Sequence, residues 1–216
     1  MALNKQNKTS TYLTIVGGKI SQRVPEGTDG AIARKLKNGP NEGSEVYELQ
    51  YGSVTGKITG GSVESGDYGD QVAIEIADGK ESYVLKLPWN SKLRDAFVKR
   101  VPNIDVTEEL EIICFPDKQD KSPVMLIKQK GGFVKFAYTK DNPNGLPAPT
   151  KKKVRGKEEW DWTETESFLW EVASSFFEQF EGDSAPEYQD SADEEDFPAQ
   201  FEGVGASKGD DDEIPF

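Results

Sequence analysis

Histidine is absent from the 216 residues, and there is one cysteine, Cys114. The missing histidines remove Ser-His-Asp and Cys-His nucleophile arrangements, and the two shortages together remove zinc sites built on Cys or His. A lone cysteine also excludes a disulfide within the chain. Long apolar runs are lacking as well. Nothing approaches the roughly 18 apolar residues of a membrane span, and the opening MALNKQNKTS has no apolar core of a signal peptide. The expectation is a soluble protein of the cytoplasm with no membrane partner. Positive charge is scarce at one end only: residues 158–216 hold one Lys against 20 Asp/Glu, whereas residues 1–157 hold 25 Lys/Arg against 19 acids. The balances, -19 and +6, make up the net charge of -13, and so sharp a division points to two kinds of work.

What is present reads as β structure. Residues 1–44 are polar and punctuated by Gly, Asn and Pro; they are expected to form an N-terminal extension, with a strand at Tyr12 to Val16 and a short helix from Ile32 to Lys37. The run VYELQYGSVTGKIT from Val46 is too long for a flat strand. A bulge at Gly52 would make it one long bent strand, with Tyr47, Leu49 and Tyr51 in phase with Val54, Gly56 and Ile58. QVAIEIADGKESYVLKLPW is a hairpin through Asp78-Gly79, with Val72, Ile74 and Ile76 on one face and Tyr83, Leu85 and Leu87 on its mate. Ser91 caps a helix carrying Leu93, Phe97 and Val98, which Pro102 terminates. Strands are then expected in ELEIICF, PVMLIKQK and, after Gly131-Gly132, FVKFAYTK.

Long bent strand, hairpin, helix and hairpin-like pair is the order of an all-β, five-stranded Greek-key OB barrel, assigned to residues 45–145. Residues 146–181 follow as a basic linker and an amphipathic helix from about Glu164 to Glu181. A Thr163/Glu166 capping box opens that helix, and Phe168, Leu169, Val172, Phe176 and Phe180 recur along it at helical intervals. Its apolar face is expected to pack on the barrel, the alternative being self-association or partner docking through an arc that includes Trp162, Trp170 and Phe177. Residues 182–216 are Asp, Glu, Ser, Ala, Pro and Gly with isolated aromatics, a composition that predicts a disordered acidic tail.

Enzyme chemistry finds little footing. GSVTGKI has three residues rather than four between Gly52 and Gly56, Ile58 where a phosphate loop needs Ser or Thr, and a strand pattern around it. The carboxylates Asp67, Asp70, Glu75, Asp78 and Glu81 are dense, but their spacing does not assemble a metal site. No catalytic residue, metal or cofactor is expected. The basic residues say more. Ten Lys/Arg, from Lys121 to Lys157, face only Asp120 and Asp141 after Lys118, and they are interleaved with Phe133, Phe136 and Tyr138. Single-stranded nucleic acid is held by bases stacked on aromatic faces while cations follow the phosphates, and an OB sheet offers such a face. The candidates are Tyr51, Lys57, Lys86, Trp89, Lys128, Phe133, Lys135 and Tyr138. Lys151–Lys153 also fits a localisation patch.

The last seven residues, Asp210-Asp211-Asp212-Glu213-Ile214-Pro215-Phe216, form an acidic run with an apolar tip, suited to a pocket with a basic rim. This ending resembles the tip of bacterial single-stranded-DNA-binding proteins, Glu213 being the one conservative departure. The barrel-plus-tail layout, with NPNGLP and KKVRGKEEWDWT, resembles the single-stranded-DNA-binding proteins of tailed bacteriophages. The resemblance implies a non-enzymatic protein that covers single-stranded DNA and recruits replication and repair enzymes through its tip. It does not imply tetramerisation. The rival is a protein-interaction module or DNA mimic acting through the acidic tail, against which the net positive charge of residues 1–157 argues.

Overall fold

The computed structural model describes residues 10–37, 41–66, 69–154 and 156–180, so the acidic tail and its tip lie outside the described residues. Twelve strands and two α-helices are found there: β1 (Thr11–Val16), β2 (Lys19–Val24), β3 (Ile32–Lys35), β4 (Glu45–Tyr51), β5 (Ser53–Glu64), β6 (Gln71–Asp78), β7 (Glu81–Pro88), α1 (Lys92–Val98), β8 (Leu110–Pro116), β9 (Pro123–Gln129), β10 (Gly132–Phe133), β11 (Thr150–Val154), β12 (Lys157–Asp161) and α2 (Thr163–Glu178). Ten of the strands form one open sheet in the order β10-β9-β8-β5-β6-β7-β1-β2-β4-β3, while β11 and β12 pair only with each other.

Strand β5 joins the two halves of the sheet. Its first residues pair with β8, Ser53 opposite Ile113 to Gly56 opposite Leu110. From Lys57 onward it pairs with β6, with a register shift between Ile58 and Gly60. The bulge therefore falls seven positions after the expected Gly52, at Thr59. Gly52 instead separates β4 from β5, and β4 turns away to pair with β2 and β3. The β6–β7 hairpin turns through Gly79-Lys80, with Gly79 at φ +59°. Val72, Ile74, Ile76, Leu85 and Leu87 are fully buried beneath it.

A closed five-stranded barrel would pair the third of its strands with the last. Here β1 occupies that edge of β7 in parallel, Thr11 opposite Tyr83 to Leu13 opposite Leu85, and β10 occupies the edge of β9. The sheet is thus open, and α1 packs between β7 and β9. Ser91 caps α1 by accepting from the Arg94 N–H at 3.1 Å, as expected, and Leu93, Phe97 and Val98 are buried. The extension contributes three strands to the sheet instead of lying outside it. The expected helix at Ile32–Lys37 is strand β3, because its backbone pairs with β4 from Ile32–Glu48 to Lys35–Glu45, and Arg34 forms a two-pronged ion pair with buried Glu48.

Helix α2 closes the core with Leu169, Ala173, Phe176 and Phe177. Phe177 stacks on Phe97 at 6.4 Å between centroids and lies on the backbone of Gly61, where a Cβ would stand 2.3 Å from its ring and 2.4 Å from the Ala73 carbonyl. The expected capping box does not form. Asp161 Oδ1 accepts from Thr163 N–H at 3.1 Å and from its hydroxyl at 2.6 Å. Glu166 is drawn instead to Arg94, 2.7 Å away, which ties α2 to α1.

Candidate nucleic-acid interface

The two-residue period of β8 and β9 sends Leu110, Ile112, Cys114, Met125 and Ile127 into the core. Glu111, Ile113, Phe115, Val124, Leu126 and Lys128 consequently share the outer face. Register sets Ile113 against Leu126 and Glu111 against Lys128, and Lys128 against Phe133 of β10. Phe133 is 58% exposed, and Lys128 Nζ stands 5.4 Å from its ring centroid. Lys128 is also 3.7 Å from Glu111, a half-exposed pair that solvent and salt weaken.

The third segment of the basic stripe is expected to be a strand through Lys140, but β10 ends at Phe133. Val134 still donates to the Ile127 carbonyl at 2.8 Å. Thereafter the C-terminal end of α1 takes the backbone that a ladder would use. Arg100 Nε donates to the Val134 carbonyl at 3.0 Å, Asn103 Nδ2 to the Lys135 carbonyl at 3.0 Å, and Ala137 N–H donates to the Lys99 carbonyl at 2.8 Å. The result is a strap over 134–137 held at three points, Val134, Lys135 and Ala137. Arg100 is only 6% exposed; it also donates to the Ala96 carbonyl, and its guanidinium lies 3.7 Å from the Phe136 ring centroid. Burial lowers its pKa, yet an arginine remains a cation at any ordinary pH. The strap leaves Lys135 exposed and the Phe136 ring 42% exposed beside Phe133 in sequence.

The other candidates from the sequence are dispersed. Trp89 and Tyr138 are covered by α2: Trp89 lies 4.8 Å from Trp170 with the Arg94 guanidinium 4.3 Å from its ring, and Tyr138 meets Phe168 edge-on at 5.5 Å. Burial raises the Tyr138 pKa. Lys86 is on the outer side of β7, 3.6 Å from Glu64 and 5.4 Å from the Tyr12 ring. Lys57 lines a cleft of about 550 Å³ with Lys130, Thr107, Glu108 and Glu109. There the ammonium of Lys130, 2.7 Å from Asp105, holds that carboxyl well below the usual range. Tyr51 donates to Gln22 at 3.2 Å and borders a cleft of about 670 Å³ with Tyr83, Asp78, Lys80 and Glu81. Its hydrogen bond to Glu81 pushes Tyr83 up to about 12.

Each cleft carries two carboxylates, which repel a polyanion, whereas the Phe133 face carries one, Glu111, paired with Lys128, and two exposed rings, so that face is the better candidate for nucleic acid. Of the residues expected from the sequence, Phe133 and Lys128 lie side by side and Lys135 is exposed two positions on, whereas Phe136, Lys99, Arg100 and Asn103 were not in the candidate set. The alternation Phe133-Val134-Lys135-Phe136 was the available signal. Of the carboxylates weighed for catalysis, Asp67 lies outside the described residues, and Glu75, Asp78 and Glu81 are strung along the β6–β7 hairpin. Among the described residues, no group of three or more His, Cys, Asp or Glu is gathered closely enough to hold a metal, and no helix is long and apolar enough to cross a membrane. No protein-family model, curated protein or solved structure matches the chain.

Proposed function

We propose that this protein binds single-stranded DNA through the face bearing Phe133, Phe136, Lys128 and Lys135, in the manner of the bacteriophage proteins that its barrel-plus-tail layout resembles. The observation that carries the reading is a pair of aromatic rings open to solvent on adjoining backbone: Phe133, 58% exposed, on β10 with Lys128 5.4 Å from its ring centroid, and Phe136, 42% exposed, on the strap that Arg100 and Asn103 tie down. Rings fixed in advance lose little freedom when a base stacks on them. The order of β5, β6, β7, α1, β8 and β9 supports the OB interpretation, the barrel being opened by β1 and β10. The reading includes no catalysis. The C-terminal run Asp210–Phe216 serves in it as the docking tip for replication and repair proteins, consistent with an acidic tether ending in apolar anchors.

The test is a titration with oligothymidine at several salt concentrations. Affinity is expected to fall with salt by about 0.7 logarithmic units per decade for each phosphate contacted. Phe133→Ala and Phe136→Ala should each weaken binding by about 1–3 kcal/mol while leaving the fold intact. Wild-type affinity in both variants would place the binding face elsewhere, and no binding by the native protein would end the proposal.

A further inference from the structure

The segment KKKVRGKEEWD is a ribbon, not a linker. Strands β11 and β12 pair from Thr150–Asp161 to Val154–Lys157, turning at Gly156 with φ +86°. Every residue of the ribbon whose side chain is described is exposed except half-buried Asp161. Both faces therefore meet solvent. A solitary two-stranded ribbon is marginal in water, and this one is held by cross-strand charge, with Lys151 3.4 Å from Glu158 and Lys152 3.8 Å from Asp161.

The two faces differ. Pairing puts Lys151, Lys153, Glu158 and Trp160 on one side, and Thr150, Lys152, Glu159 and Asp161 on the other. The first side has an excess of positive charge and the ribbon's one aromatic ring; the second, which also carries Lys157 opposite Val154, balances two lysines against two acids. Trp160 is 48% exposed with Lys151 Nζ 5.3 Å from its ring, so a large apolar group gains little burial where it stands. A ring flanked by ammonium groups is the arrangement that holds a base and its phosphate.

The base of the ribbon is fixed near the strap. Asn144 Nδ2 donates to the carbonyl of Ala137, next to Phe136, and Thr165 Oγ1 of α2 donates to the Pro147 carbonyl at 2.9 Å. Leu146 packs against the core. Five residues of strand reach about 17 Å from that base.

We infer that the β11–β12 ribbon is a second nucleic-acid contact, an arm whose Trp160 stacks a base and whose Lys151 and Lys153 meet phosphates on the strand that crosses Phe133 and Phe136. The inference rests on the single-stranded-DNA reading and extends it to a site that lies outside the sheet.

The experiment uses the full chain and oligothymidine. Trp160→Ala should weaken binding at least about five-fold, the lower bound for loss of one stacked base, whereas Trp160→Phe should stay within about two-fold because a ring is retained. Lys151→Ala with Lys153→Ala should lower the salt slope by about 1.4, while Lys152→Ala with Glu159→Ala, on the opposite face, should leave affinity and slope as they were. Fluorescence gives a reading that does not depend on the alanine variants keeping the ribbon folded. Trp89 and Trp170 are packed together, but Trp162 is 43% exposed beside Trp160 at 48%, so quenching by oligothymidine is read in a Trp162→Phe background, where Trp160→Phe should remove most of it. Native binding with unchanged affinity, slope and quenching in the Trp160 and lysine variants would overturn the arm and leave the Phe133 face standing. Failure of the native protein to bind would overturn both.

Discussion

Arg100 connects stability to the proposed binding face, and its replacement by Met tests that connection directly. Met keeps most of the length and apolar bulk of the side chain but removes the donors that reach the Val134 and Ala96 carbonyls. Arg100 is 6% exposed, so water does not readily replace it at those acceptors. Losing one charge-assisted hydrogen bond costs about 1.5–3 kcal/mol and stranding a buried acceptor about 1–3 kcal/mol; part of the second cost is the first counted again, so about 2–4 kcal/mol is expected in all. For a chain of this length each kcal/mol moves Tm by roughly 2–4 °C, which sets the drop between about 4 and 16 °C. Lys in the same place should recover little, because a single ammonium cannot donate in two fixed directions and stack flat on Phe136.

Thermal unfolding followed by circular dichroism measures the first effect, and an oligothymidine titration well below the lowered Tm measures the second. If the strap positions Phe136, the Met variant binds more weakly at a temperature where it is fully folded, approaching the deficit of Phe136→Ala. A Met variant that melts within about 2 °C of the native protein would refute the accounting of buried acceptors. One that melts low but binds normally would separate the strap from the interface.

Two further outcomes follow from the core. Phe177→Ala should cost about 3–5 kcal/mol in denaturant unfolding, and Gly61→Ala should be destabilising in the native background but less so beside Phe177→Ala, since one of its two clashing neighbours is then gone; strict additivity would show that the ring does not rest on Gly61. Cys114 is 1% exposed and burial pushes its thiol up to about 12, so it should resist thiol reagents at pH 8 until the chain unfolds. Because its pKa is raised above the usual 9.0, the stability it contributes is whole below that pH and is lost as pH climbs toward about 12, so Cys114→Ala should make a pH series of unfolding curves less steep there, Tyr83 and Tyr138 still contributing a loss of the same sign.

Local pattern was enough for the strands from β6 to β9 and for α1, because each alternates cleanly or carries its own cap and its turns use Gly79 or Gly131, but not for β5, which begins after Gly52 and runs on through Gly60–Glu64. It was not enough for β2, where KISQRV shows little alternation and Ser21 is buried at 2%. IARK consists largely of good helix formers, yet pairing with β4 outweighed that propensity. The ribbon was obscured because a run of lysines followed by a run of acids looks like two solvated segments until the register Lys152–Glu159 and Lys153–Glu158 brings them face to face.

The binding face was half legible for a related reason. Phe133, Lys128 and Lys135 announce themselves by type, as bases and aromatics in alternation. What holds the segment after Phe133 in the proposed platform is a cation just past α1 whose acceptor lies 34 residues further on, and a similar long reach holds for Arg94, which takes Glu166 across 72 residues and dissolves a capping box of correct spacing. A periodicity argument sees each of these arginines as one more solvated charge on a short helix. Their burial, 3% for Arg94 and 6% for Arg100, reverses that reading, because a guanidinium withdrawn from water must spend its donors on partners that only the tertiary structure supplies. Trp89 and Tyr138 show the same dependence in reverse: α2, positioned in part by Arg94, packs Trp170 against one ring and Phe168 against the other and leaves both half-buried.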